Sequence, residues 1–151
     1  MSQGFLVLVR RLEGNDLPVP RRATHGSSGF DLAACVTEPV ILRPGTRALI
    51  PTGFCVAVPE GYEAQIRPRS GLAWERGVTM LNSPGTIDSD YRGEVRVIAV
   101  NLGAEPVTIN RGDRIAQMIF ARVEPAHMEE ARELPETGRG AGGFGSSGTT
   151  S

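Results

Sequence analysis

Lysine does not occur in the 151 residues, so all sixteen basic residues are arginine. That excludes Schiff-base chemistry and the Gly-Lys of a Walker-type phosphate loop. Bidentate guanidinium contacts remain as the way to hold an anion. Cysteine is scarce: Cys35 and Cys55 each sit in an apolar stretch, and with His25 and His127 far apart they form no metal-ligand spacing. Two reduced core thiols and no zinc are expected. Net charge of one sign is also missing, the formal value being −1, so nothing in the whole-chain field favours DNA, RNA or an anionic membrane as a partner. No long apolar run appears. Phe5 to Val9 falls far short of the ~20 residues that span a bilayer, and no signal-peptide cleavage pattern follows it. A soluble, cytoplasmic protein is expected. At 151 residues with 40% hydrophobic content, the chain fits one globular domain and excludes a two-domain enzyme.

What is present is an all-β rhythm. Nineteen glycines and eleven prolines interrupt short segments rich in Val, Ile, Leu and Thr. Strands are predicted over Phe5–Arg11, Phe30–Cys35, Val40–Leu42, Thr46–Pro51, Phe54–Val58, Tyr62–Pro68, Val78–Met80, Gly93–Asn101, Val107–Ile109 and Ala116–Val123. Many short strands suggest a sandwich or jelly roll. Val95, Val97 and Ala99 alternate with Arg96, Ile98 and Val100, so both faces of that strand are mostly apolar and it is expected to be covered twice. A second sheet can cover one face and a neighbouring subunit the other.

One helix is predicted, with Ser70 as N-cap to Gly71–Arg76 and Gly77 as its C-terminal stop. A second helical turn is conceivable at His127–Arg132, where His127 reads as a solvated polar residue. From Pro135 the composition shifts. RGAGGFGSSGTTS carries five glycines and one aromatic, too little apolar mass to fold alone. Read from composition, this is a disordered tail. Arg139 and Phe144 add a charge and a ring, which suits an arm closing over a nucleotide.

Some short matches are decoys. Gly138, Gly140 and Gly143 satisfy GxGxxG but follow no strand and open no helix. Arg111-Gly112-Asp113 reads as a tight turn before a strand. The GSSG stretches lack the spacing of a hydrolase nucleophile elbow. The informative segments are five polar interruptions: SSGFDLAA from Ser27, RPRSGLAW from Arg67, NSPGTIDSDYRGEV from Asn82, GDRIAQMIF from Gly112 and RGAGGFGSSG from Arg139. Arg69, the Ser70 hydroxyl and the backbone N–H groups of Ser70 and Gly71 can converge on one anion. An ordinary capped helix would use the same residues. Asp88 and Asp90 lie two apart, so in an extended turn they would face the same way, with Ile87 and Tyr91 anchoring a hairpin. One carboxylate could orient a water while the other pairs with an arginine or closes the turn.

In this order and over about Leu17 to Gly148, the five segments resemble the five motifs of the homotrimeric deoxyuridine triphosphate nucleotidohydrolases, the dUTPases. GTIDSDYRGE and the terminal RGAGGFGSSG are the most specific. The resemblance implies an all-β, distorted jelly-roll β-barrel of short strands with one short helix. Residues 1–134 would be the catalytic body and 135–151 a flexible glycine-rich arm. Three subunits would share active sites, each completed by an arm from another subunit. The implied reaction is hydrolysis of dUTP to dUMP and pyrophosphate, which limits uracil in DNA and supplies dUMP for dTTP synthesis.

By the same resemblance, Asp88 would be the general base, positioning a water for in-line attack on the α-phosphorus. Tyr91 would lie under the deoxyribose and exclude a 2′-hydroxyl. Asn82, with backbone at Thr86, Ile87 and Arg96, would read the uracil edge. Arg69, Ser70, Gly71 and Gln117 would hold the phosphates. Asp31 would face the water shell of a Mg²⁺ carried mainly by the triphosphate. Phe144 would stack on uracil, Arg139 would approach the phosphates, and Gly145, Ser146 and Ser147 would donate to the terminal phosphate. His25 stands where the family pattern has a small residue, and no role attaches to it. Two other readings remain: a dCTP deaminase-related enzyme, and a nucleotide-binding module without turnover.

Overall fold

The computed structural model describes residues 4–144, so Gly145, Ser146 and Ser147 lie outside the described residues. Ten strands and one short helix follow the alternating pattern of the sequence. Sheet one runs β1 (Leu8–Arg11), β4 (Arg47–Ala57), β8 (Glu94–Asn101), β6 (Val78–Met80). Sheet two runs β2 (Phe30–Ala33), β10 (Arg114–Arg122), β5 (Tyr62–Pro68), β7 (Gly85–Ile87). β3 (Val40–Leu42) and β9 (Val107–Ile109) form a separate two-stranded ribbon, and every strand pairing among the described residues is antiparallel. The all-β expectation holds, with the sheets separate and not closed into one barrel.

One continuous core joins the two sheets, since Ile50, Val95 and Val97 of the first pack in the same cluster as Leu32, Ala64, Ile115 and Met118 of the second. Alternation explains this, because every second side chain of each strand points inward. On β8, Val95, Val97 and Ala99 are buried in the core. Of the opposite face, Val100 is buried, Ile98 half-buried and Arg96 exposed. Beside Ile98, its cross-strand partner Leu49 is 54% exposed. The second cover expected for this strand is therefore incomplete within one chain.

The two segments read as separate strands around Thr52-Gly53 form the single strand β4, which shifts register between Pro51 and Cys55. Gly53 makes this possible with φ +72°, and a Cβ there would meet Asn15 Nδ2 at 2.5 Å and Cys35 Sγ at 2.8 Å. Its carbonyl accepts from Leu12 N and Asn15 Nδ2, while its N–H donates to Glu94 Oε1. The bulge thus ties the N-terminal segment to β4. Both cysteines are free, Cys55 buried and Cys35 half-buried. The N-terminal strand starts at Leu8, later than the sequence suggests, because Phe5 leaves the ladder to stack on Tyr62 at 4.1 Å.

Helix α1 spans Ser70–Arg76. Ser70 is not its N-cap. Arg69 holds that position in extended geometry, and no side chain caps the helix. Gly77 ends it in the left-handed conformation as expected, donating to Ala73 O and Leu72 O. No α1 residue is buried, and Trp74 is 91% exposed. Glu124–Thr137 has no regular structure, so the turn considered at His127–Arg132 does not form. Met128 and Leu134 are exposed there, with no core face for an amphipathic helix to cover. Among the described residues, no helix is long and apolar enough to cross a membrane.

Candidate active site

Strand β7 and the turn after it carry Thr86, Ile87, Asp88 and Tyr91 to one place. The apolar anchor is Ile87, buried beneath the turn. This is not a hairpin: β7 pairs with β5 in sheet two, whereas β8 belongs to sheet one. The chain crosses here from β7 at the edge of sheet two to β8 inside sheet one. Asp88 and Asp90 do not share an extended turn. Tyr91 N donates to Asp88 O at 3.2 Å, closing a tight reversal. Asp88 lines a cavity of about 550 Å³ with Thr86, Ile87, Tyr91 and Arg96, and Asp90 does not line it.

The floor is rigid. Tyr91 Oη donates to Glu94 O at 3.0 Å and the ring lies across Gly93, where a Cβ would come within 2.3 Å of that oxygen. Glu94 also accepts from Arg96 Nε at 2.8 Å and from Gly53 N at 2.9 Å. Arg96 is thereby fixed as a side chain, although only its backbone was expected to matter. Asn82 stands at the entrance to β7, its Nδ2 3.1 Å from where a Gly85 Cβ would be. Among the described residues, no cation pairs with the Asp88 carboxylate.

A second group lies on the outer face of sheet two. Gln117 on β10 is the cross-strand partner of both Asp31 on β2 and Arg67 on β5, so the three side chains share a face. Gln117 Nε2 donates to Pro68 O at 3.0 Å, just before Arg69 and α1. Gly29 packs against this side chain: a Cβ there would come within 2.2 Å of Gln117 Oε1 and displace the amide. Arg69 Nε contacts Asp31 Oδ1 at 3.2 Å, and Arg114 Nη1 contacts Asp31 Oδ2 at 3.0 Å. Arg114 escaped the sequence reading. No local spacing links it to Asp31, 83 positions away. Ser70 and Gly71 are exposed at the start of α1 beside this group.

The two groups do not merge within one chain. None of Asp31, Arg69, Ser70, Gly71 or Gln117 lines the Asp88 cavity. Arg139 and Phe144 line neither it nor the cleft at Asp31 and Arg114. Phe144 is fully exposed, and Arg139 Nε donates to Gly142 O at 2.7 Å. The glycine pattern 138–143 lies in turns without a preceding strand, as expected of a decoy. Arg111-Gly112-Asp113 is likewise a turn, with Gly112 at φ +87° and Asp113 N donating to Asn110 O at 3.1 Å. Its arginine is occupied: Arg111 Nη2 binds Asp16 Oδ1 and Gly14 O, and Nη1 donates to Val36 O. The hydrogen bond from Arg111, then Asp16's own backbone N–H and the guanidinium charge, hold the Asp16 carboxyl below the usual range. The same pairing raises Arg111.

For a metal, Asp31 is the one sequence candidate. Both its oxygens are taken by guanidinium groups, and the described residues hold no group of three or more potential metal-ligating side chains. That fits contact through water to a cation carried by an anionic ligand, and does not fit direct ligation by a protein cage.

An all-β chain with an arginine–carboxylate cluster, and apart from it an unpaired carboxylate over an aromatic floor, has the parts of an enzyme for a phosphorylated small molecule. Comparison supplies the family: the dUTPase family matches residues 15–148, and the chain belongs to it. The deoxyuridine 5′-triphosphate nucleotidohydrolase of Caulobacter vibrioides strain NA1000 / CB15N is 56% identical over 148 residues, 96% of each chain. That of Neorickettsia sennetsu is 58% identical over 136 residues, 90% of this chain and 91% of the relative. Among solved structures, a Staphylococcus bacteriophage 80alpha dUTPase mutant with dUpNHpp is 25% identical, with TM-score 0.83 over 95% of this chain and 98% of that one. A mutant dUTPase from phage phi11 of S. aureus, described with a structural Mg(II) ion, shares the fold at 23% identity and TM-score 0.77, over 86% of this chain and 99% of that one.

Proposed function

We propose that this chain hydrolyses dUTP to dUMP and pyrophosphate. The carrying observation is the cavity that gathers Thr86, Ile87, Asp88, Tyr91 and Arg96 around one unpaired carboxylate. Asp88 accepts a proton from a water whose oxygen attacks the α-phosphorus. The bond from that phosphorus to the bridging oxygen breaks in line, and pyrophosphate departs with the electron pair. Tyr91, held by Glu94 O and Gly93, packs against the deoxyribose and leaves no room for a 2′-hydroxyl. Backbone at Thr86, Ile87 and Arg96, with Asn82, reads the uracil edge.

Arg69, Ser70, Gly71 and Gln117 hold the phosphates through charge-assisted hydrogen bonds. Asp31 is the residue that would face, through water, a Mg²⁺ carried by the triphosphate. When bound, that ion offsets negative charge on the phosphate oxygens. Phe144 stacks on the base, and Arg139 with Gly145, Ser146 and Ser147 closes on the phosphates.

The separation of the two groups within one chain supports a homotrimer with shared sites. One chain brings the Asp88 cavity, another the Arg69–Gln117 face, and an arm of residues 135–151 closes over the body of residues 1–134. A cytoplasmic location fits this reading and the absence of any membrane-crossing helix among the described residues.

The test is pyrophosphate release from dUTP, dTTP, dCTP and UTP, in Mg²⁺ and in chelator. Release from dUTP alone, lost in chelator, is expected. Ammonia release from dCTP would identify a deaminase instead. A tight nucleotide complex without turnover would identify a binding module.

A further inference from the structure

Strand β10 changes phase where it begins. Arg114 lies opposite Ala33 and Gln117 opposite Asp31, so three residues of β10 match two of β2, with a register shift between Arg114 and Ala116. In a regular strand, residues three apart point to opposite faces. The extra residue lets Ile115 and Ala116 both enter the core, and brings Arg114 to the same outer face as Gln117 and Asp31. Bulges re-aim side chains in this way.

The result is a closed ring of three residues. Arg69 Nε forms an ion pair with Asp31 Oδ1 at 3.2 Å, Arg114 Nη1 donates to Asp31 Oδ2 at 3.0 Å, and Arg69 Nη1 donates back to Arg114 O at 3.2 Å. The Arg69 guanidinium is thus gripped at two nitrogens by two groups, one depending on the Arg114 side chain and the other on its backbone. Fixing a flexible arginine before a ligand arrives removes ordering cost from binding. A carboxylate shared by two guanidiniums is also less free to swing than one bound by a single partner.

We infer that Arg114 is a positioning residue for the pyrophosphate end of the substrate: through Asp31 it orients Arg69. This rests on Arg69 binding phosphate, as proposed above. In this inference Arg114 acts through Asp31, which its Nη1 bonds, and the double variant below separates that from direct contact with the anion.

The experiment measures inorganic pyrophosphate and dUMP binding by calorimetry in chelator, with dUTP kinetics alongside, for Arg69→Gln, Arg114→Gln, Arg114→Lys and the double glutamine variant. Arg114→Gln is expected to weaken pyrophosphate about tenfold, with dUMP affinity within twofold of the parent and the KM for dUTP raised more than kcat falls. The double variant should bind pyrophosphate no worse than Arg69→Gln, because both changes remove one function. Arg114→Lys keeps the charge without the fork and should weaken pyrophosphate at least threefold against the parent, so it decides the matter by itself if the glutamine variant does not fold. Parental pyrophosphate affinity in both Arg114 variants, with Arg69→Gln weakened, would overturn the inference and leave the phosphate reading intact. Additive losses in the double variant would overturn it too, since Arg114 would then contact the anion itself. Parental affinity in Arg69→Gln would overturn the phosphate reading and this inference together.

Discussion

Asp88 and Asp90 show how much two carboxylates of one turn can differ. Only Asp88 lines the cavity, so Asp88→Asn should keep the fold and nucleotide binding while turnover falls by about 10²–10⁴, the usual contribution of a positioned base. Steady-state hydrolysis, with analogue binding measured in parallel, checks this. Parental turnover would remove Asp88 from the mechanism. Gly53 is decisive for stability instead. A side chain at φ +72° that also meets Asn15 and Cys35 below 3 Å should cost about 1–2 kcal/mol from backbone conformation alone, with the clash added. Thermal melting of Gly53→Ala measures it. The candidate site residues could be named because their types are tied to chemistry and their order to a family. Arg114 could not, because its partner is distant in sequence and its direction depends on a bulge.

At the scale of elements, apolar alternation located most of the strands, and the longer ones to within a few residues. It failed where local chemistry imitates punctuation. Thr52-Gly53 reads as a turn yet is a bulge inside β4, and β7, three residues after Asn82-Ser83-Pro84, offers too little alternation to register. The β7–β8 crossing was read as a hairpin because sequence adjacency does not reveal that consecutive strands enter different sheets. Between elements, the Asp16–Arg111 pair fastens the loop before β2 to the turn before β10. Its carboxyl is depressed in the folded protein, so its contribution is present above the ordinary aspartate value of about 3.9 and disappears as pH falls through the lower folded value. Amide protection factors at residues 15–17, taken relative to the intrinsic exchange rate at each pH, should therefore fall in acid below about pH 4. Arg111→Met should produce the same loosening at neutral pH. The pair is exposed, so global stability should change little.

For the whole molecule, one chain holds the Asp88 cavity apart from the Asp31, Arg69 and Gln117 group and leaves Leu49 uncovered beside Ile98. Light scattering should report three chains per particle. Removing residues 135–151 should abolish dUTP turnover while the melting temperature stays within a few degrees. Mixing that truncated chain with Asp88→Asn chains should restore part of the activity, because some mixed particles combine an intact carboxylate with an intact arm. No recovery after confirmed subunit exchange would place each complete site within one chain. Composition and rhythm indicated a β sandwich or jelly roll. A site shared among subunits was expected only from family likeness, since a strand pattern does not say which surfaces meet.

Trp74, the single tryptophan, stands in solvent on α1, four residues from Ser70. The protein therefore carries a built-in optical reporter at the edge of the face proposed to bind phosphate. Its emission should be red-shifted and readily quenched by iodide in the free enzyme. Any closure that covers α1 should shift the band to the blue and protect it from quencher, so stopped-flow fluorescence can time that movement without a label.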